Sequence, residues 1–181
     1  MSVRRFPILN LVPGQTVTIS PYSVHSIGPG LLSLGHTTFG SGAWPAANRA
    51  LLIPFVLPRH LTVYKAGWMN GGAVSGNADI GIYDAAGVLL VSSGATAKTP
   101  INTIQMVDIT DTLLLGRSIH YLALVSDDTA SFMRVNQIQG AYSGLGCREK
   151  ATSYPLPNPL TGTAQLTSGY LPWVFLELRA R

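Results

Sequence analysis

The segment NADIGIYDAAGVLLVSSG, residues 77–94, restricts the possible folds more than any other stretch of this chain. Two short apolar runs flank Asp84-Ala85-Ala86-Gly87, which has Asp at the first position and Gly at the fourth position of a type I turn. Runs of this length joined by so few residues pair most directly with each other, which predicts a β-hairpin. In the first run Ala78, Ile80 and Ile82 share one face, and Asp79, Gly81 and Tyr83 share the other. The Ile face is expected in the core and the second face in water, with Asp79 and Tyr83 as candidates for contact.

The same two-residue alternation recurs along the chain. Gln15–Ser20 predicts a strand with Val17 and Ile19 inward, and Ala50–Leu57 predicts an edge or bulged strand because of Pro54. Leu61–Asn70 alternates, with Thr62, Tyr64, Ala66 and Trp68 on one face, so Tyr64 and Trp68 are expected to supply core bulk. Ile104–Ile109 predicts a strand ending in a Thr110-Asp111-Thr112 turn. Ser118–Ser126 is apolar on both faces, as a strand in the middle of a sheet is. Further strands are expected at 30–34, 113–115, 132–135 and 173–179, the last with Val174, Leu176 and Leu178 inward. No apolar stripe of 3.6-residue period runs longer than two turns, and with 19 Gly, 12 Pro, three Lys and two Glu the chain has little material for exposed helices.

These short strands separated by turn signals predict an all-β fold, an antiparallel β-sandwich of jelly-roll type. Residues 1–14, with Pro7 and Pro13, are expected to be an extended arm, and residues 15–181 a single domain. Two irregular stretches interrupt it, 21–49 and 140–170. The second carries Tyr154-Pro155-Leu156-Pro157-Asn158-Pro159, whose alternate prolines favour an extended, polyproline-like path.

A chain of 181 residues can bury roughly two-thirds of its unfolded surface. Charged residues are only 11%, against about 25% in ordinary soluble domains, which suits a subunit that covers its surface with neighbours. The formal charge of +4 comes from scattered arginines without a basic stripe, so no nucleic-acid partner is expected. Cys147 is alone, which leaves no intramolecular disulfide and no CxxC metal motif. The first apolar patch is broken by Pro7, Asn10 and Pro13, so neither a signal peptide nor a membrane span is expected there.

Chemistry-bearing motifs are missing in the same way. There is no G-x-S-x-G elbow, and four His and six Asp occur at spacings that select no catalytic triad. Glu149 and Glu177 are the only glutamates, with Glu177 reading as an exposed partner of Arg179. His25, His36, His60 and His120 form no metal-ligand spacing, and His120 reads as a hydrogen-bonded core or interface histidine. Asp108, Asp111, Asp127 and Asp128 follow strands without a calcium-loop pattern and read as turn caps. No catalytic residue, metal or cofactor is therefore expected. The candidate contacts are Arg4, Arg5 and Phe6, which make the N-terminus either a docking arm or a frayed end. Trp44 and Tyr142 stand in loops, as platforms for a host glycan or as core and subunit interface.

The segment from Ala50 to Asp128 resembles structural proteins of tailed bacteriophages. The resemblance is carried by ALLIPFVLP, the Tyr64–Trp68 strand with Asn70-Gly71, SGNADIGIYDAAGVLLVSSG and IQMVDITDTLLLGRSIHYLALVSDD. It implies a non-enzymatic virion component with a β-sandwich domain, of the decoration, head-fibre or tail-associated type. Such a protein is made in the host cytoplasm and assembles on capsid or tail subunits, here as a symmetric oligomer such as a trimer. The alternative expectation is a carbohydrate-binding module that recognises host surface glycans. Neither reading requires a membrane.

Overall fold

The strands expected between residues 49 and 137 all form, and their pairing explains both the alternation and the places where it fails. The computed structural model describes residues 17–19, 39–137, 146–151, 154–167 and 169–179. In chain order the strands are β1 (Val17–Ile19), β2 (Phe39–Ala43), β3 (Arg49–Val56), β4 (Leu61–Met69), β5 (Asn77–Asp84), β6 (Leu89–Ser92) and β7 (Thr96–Ala97). They continue with β8 (Ile104–Leu114), β9 (Ile119–Ser126), β10 (Phe132–Gln137), β11 (Arg148–Ala151), β12 (Ala164–Gln165), β13 (Tyr170–Pro172) and β14 (Val174–Arg179). The described residues contain no helix, and the chain is all-β.

Every strand pairing is antiparallel. A seven-stranded sheet runs β12-β11-β3-β9-β5-β6 with β7 also on β5, a four-stranded sheet runs β1-β14-β4-β8, and a three-stranded sheet runs β13-β10-β2. One apolar cluster joins them. Leu51, Ile53, Ile80, Ile82, Leu122 and Leu124 from the first sheet meet Val63, Ala66, Trp68, Leu176 and Leu178 from the second and Met133, Val135 and Leu171 from the third.

The hairpin forms as expected. The Gly87 amide donates to the Asp84 carbonyl at 3.1 Å, Gly87 has φ 83°, and Asp84 Oδ1 accepts the amides of Ala86 and Val88 at 2.9 Å. β9 lies between β3 and β5, and Leu122 to Ser126 are buried, which matches its apolar character on both faces. Val174, Leu176 and Leu178 point inward.

Four expectations need correction. β3 is an inner strand, but β11 pairs with it only from Arg49 to Leu52, so at Pro54 that ladder has already ended and the missing N–H breaks no pairing there. The Thr110-Asp111-Thr112 turn is instead part of the continuous strand β8. Opposite it, the register of β4 slips between Val63 and Lys65 against β8, and β14 skips from Leu178–Val63 to Glu177–Lys65. Against β14 Tyr64 is the extra residue, whereas against β8 residues 109–111 stand opposite it; the irregularity reverses the phase, so Leu61 and Val63, then Ala66 and Trp68, face the core, and Tyr64 is only half-buried. Finally, the second face of β5 is dry, with Asp79 and Tyr83 both fully buried. The wetting prediction fails because a single strand's alternation cannot reveal a second covering layer.

That layer comes from the stretch at 140–170 that the sequence leaves irregular. Tyr154 to Leu160 lies as a strap over the outer face of the seven-stranded sheet, where Leu156 and Leu160 join Ala50, Leu52, Tyr83, Ala123 and Val125 in a second apolar cluster. The strap is tied down by polar bonds as well. Tyr83 Oη donates to the Pro157 carbonyl at 2.7 Å, and the Leu156 amide donates to Asp79 Oδ2 at 2.9 Å.

Candidate functional site

Where the strap meets the hairpin tip, it leaves a pocket of about 290 Å³. Asp84 to Gly87, Leu160 to Thr163 and Arg148 of β11 form its walls, and Leu52, Tyr83 and Tyr121 also line it. Each wall follows from local chemistry. Gly87 permits the left-handed turn that brings its carbonyl to the Leu160 amide at 2.9 Å, and the Leu89 amide donates to Asn158 Oδ1 at 3.1 Å. On β11 the Arg148 guanidinium lies 5.7 Å from the Tyr121 ring centroid and donates to Thr163 Oγ1 at 3.1 Å. Lys150 Nζ donates to the Gly162 carbonyl at 3.4 Å. Two cations of one strand thus hold the loop after the strap.

The carboxyl under the strap is electrostatically loaded. Burial raises the Asp79 pKa above the ordinary carboxylate value, against the lowering effect of hydrogen bonds from Leu156, Ser93 and neighbouring groups. Burial also pushes the Tyr154 hydroxyl up to about 12. A raised folded-state value means that Asp79 adds stability in its protonated form, fully below its unfolded value near pH 4, and that this contribution is lost as pH rises through the folded value. Asp79→Asn keeps an acceptor for the Leu156 amide and carries no charge. It is therefore expected to gain stability relative to the parent chain as pH rises from 4 to 7, measured by urea unfolding at a series of pH values. An advantage that shrinks over this range would contradict the assignment.

A second feature lies at the end of the molecule where β3, β4, β8 and β9 meet. Val56 and Ile119 are cross-strand partners on the outer face of the seven-stranded sheet, 38% and 49% exposed; at the end of β8, Leu113 on the outer face of the four-stranded sheet and Leu115 after it are 38% and 51% exposed. The loops 57–60 and 115–118 are bound together, with Arg117 N donating to the Leu57 carbonyl at 2.7 Å and Gly116 N to His60 Nδ1 at 3.2 Å. Arg117 holds a left-handed φ of 66°, a conformation that costs a non-glycine residue roughly 1–2 kcal/mol. Arg59, His60 and Arg117 of these two loops are exposed as well. Asp84 pairs with His120, the neighbour of Ile119, which places the pocket beside this end.

The third polar cluster is structural. Lys98, whose side chain is fully buried, donates to Ser126 Oγ at 2.7 Å and to Ser131 Oγ, and lies 3.4 Å from Asp128 Oδ1. Burial lowers its pKa. Asp128 also accepts from Ser75 Oγ and the Ser131 amide, and Asp127 accepts both the amide and the side chain of Asn77. These aspartates cap turns, and Lys98 supplies the positive charge among them. The ammonium is enclosed, so it ties loops together and is closed to a substrate.

Trp44 is 2% exposed, belongs to the main core, and donates from Nε1 to the Arg49 carbonyl at 2.9 Å. It is not an exposed platform, because the indole reaches inward from the end of β2 and satisfies its N–H on the backbone. Arg4, Arg5, Phe6, Tyr142, His25, His36 and the expected strand at 30–34 lie outside the described residues, as does the arm 1–14. His120 is 3% exposed, stacks on Phe55 at 5.5 Å and bonds through Nδ1 to the Ser118 carbonyl, as a core histidine does; burial lowers its pKa. Cys147 is fully buried and its thiol is pushed up to about 12, so it is not a reactive nucleophile. The described residues contain no group of three or more His, Cys, Asp or Glu able to hold a metal ion. Tyr121, Asp84 and Arg148 were not legible as a site, since they come from three strands far apart in sequence. No family profile, curated protein or solved structure matches this chain.

Proposed function

We propose that this protein is a non-enzymatic structural subunit of a phage virion, a jelly-roll-like β-sandwich that assembles on the capsid or tail as a symmetric oligomer. The observation that carries the reading is the exposed apolar pair Val56 and Ile119, with exposed Leu115, Arg59 and Arg117 in the loops at the same strand ends. Large exposed apolar side chains in a chain with 11% charged residues suit a subunit contact. The occupant is a second copy of the chain. Its β8 edge offers Asp108, whose side chain is 88% exposed and lies 3.5 Å from Lys65 Nζ, as a carboxylate that Arg59 or Arg117 of the next copy can share. A patch meeting a different patch on the next copy builds a ring such as a trimer when the rotation between copies closes.

Light scattering coupled to gel filtration tests this. The parent chain is expected to run as a discrete oligomer, and Leu115→Glu with Ile119→Glu is expected to yield folded monomer. These sites are exposed, so stability should change by no more than about 1 kcal/mol. A parent chain that is monomeric at tens of micromolar and fails to sediment with phage particles would overturn the proposal.

A further inference from the structure

We propose that the pocket between the hairpin turn and residues 160–163 is a saccharide site that takes a single terminal hexose. Two groups of complementary charge line it, the Asp84 carboxylate and the Arg148 guanidinium. Asp84 uses Oδ1 for the two turn amides, and its other oxygen has no protein partner among the described residues. Arg148 uses Nη1 for Thr163 and keeps further N–H groups available. A sugar hydroxyl donates and accepts at once, so a ring with neighbouring hydroxyls satisfies the carboxylate and the guanidinium together. A simple anion would gain Arg148 but be repelled by Asp84, and a simple cation would suffer the reverse. Leu52 is buried and the Tyr121 ring carries the Arg148 guanidinium at 5.7 Å, so these two close the pocket and the recognition is polar.

Size and rigidity point the same way. A pocket of about 290 Å³ stands near the lower end of the roughly 300–1,000 Å³ usual for ligand sites, so it accommodates one ring and not a polymer groove. Its walls are already fixed, by the Gly87–Leu160 bond, by Asn158 on Leu89 and by Lys150 on Gly162. Little ordering remains for a ligand to impose. The walls present a carboxylate, a guanidinium and threonine hydroxyls, which is recognition chemistry for a polyol. The site would give a virion subunit a contact with cell-surface glycan that does not depend on Trp44.

The test is amide-shift titration of the isotope-labelled full chain with the methyl glycosides of glucose, galactose, mannose and N-acetylglucosamine. At least one is expected to saturate at millimolar concentration and to shift the amides of Gly87, Gly162 and Thr163. Arg148→Ala and Asp84→Asn are each expected to weaken that binding about tenfold or more. Arg148 is exposed, so its variant should keep the parent's melting temperature, and Arg148→Lys provides a milder change if it does not. The inference is overturned if none of the four glycosides gives a saturable shift at tens of millimolar, if the shifts fall elsewhere, or if folded Arg148→Ala binds as well as the parent. The oligomer is read by mass and the sugar by amide shifts, so each proposal fails on its own measurement.

Discussion

Trp68→Ala is expected to lower stability by roughly 3–5 kcal/mol, the range for truncating a large buried aromatic side chain. The indole is fully buried on β4 between β14 and β8, with Val174 and Gln105 as its cross-strand partners. Its loss also removes a polar bond. Trp68 Nε1 donates to Asn70 Oδ1 at 2.8 Å, and Asn70, itself fully buried, donates through Nδ2 to the Pro100 carbonyl and to Gln105 Oε1. Gln105 in turn holds the Ala97 carbonyl and the Thr99 amide. The tryptophan is thus joined to the 97–105 loop as well as to the core. Denaturant unfolding should show the loss, and Trp68→Phe, which refills most of the volume but lacks the N–H, should fall between parent and Ala. For a chain of this length the Ala variant should melt roughly 6–20 °C lower. A loss below about 1 kcal/mol would refute this account of the core.

Gly87→Ala is expected to be the more informative change, because it separates backbone strain from loss of the strap. Both Gly87 and Gly94 hold left-handed conformations, with φ 83° and 64°. A Cβ at Gly94 would meet nothing, whereas one at Gly87 would collide with the Leu160 carbonyl. Gly94→Ala should therefore cost only the conformational strain of about 1 kcal/mol. Gly87→Ala should cost about 3 kcal/mol, as the strap is forced away and the cluster of Tyr83, Leu156 and Leu160 is opened to water. The two variants compared by equilibrium unfolding, with proteolysis at residues 154–160 as a second readout, decide the matter. Equal losses would mean that the hairpin and the strap are not clamped together.

The hairpin was legible because its information is local: a turn of Asp and Gly at fixed positions and a period of two on either side. The same holds for β9, whose double-sided apolar run announces an inner strand, and for the inward face of β14. The phase of β4 was not legible, because the bulge at Tyr64 is settled by which residues of β8 and β14 stand opposite it. Trp44 stayed open between platform and core for a related reason. A tryptophan between glycines and prolines is placed only once the neighbouring sheet is there to receive it. The pocket was invisible for the strongest reason of all, since Asp84, Tyr121 and Arg148 belong to strands brought together only by the sheet order β11-β3-β9-β5.

The amino-acid sequence alone determined that the chain is all-β and antiparallel, with the Ile80 and Ile82 face buried, because alternation and turn chemistry act between near neighbours. Only the tertiary structure decided that the opposite face is buried too. An extended proline-rich segment has no periodicity that names its target. It covers the sheet because Asp79 and Tyr83 offer its backbone an acceptor and a donor, and because Leu156 and Leu160 find apolar ground between them. Those contacts span more than seventy residues of chain, and the pocket is what they leave open.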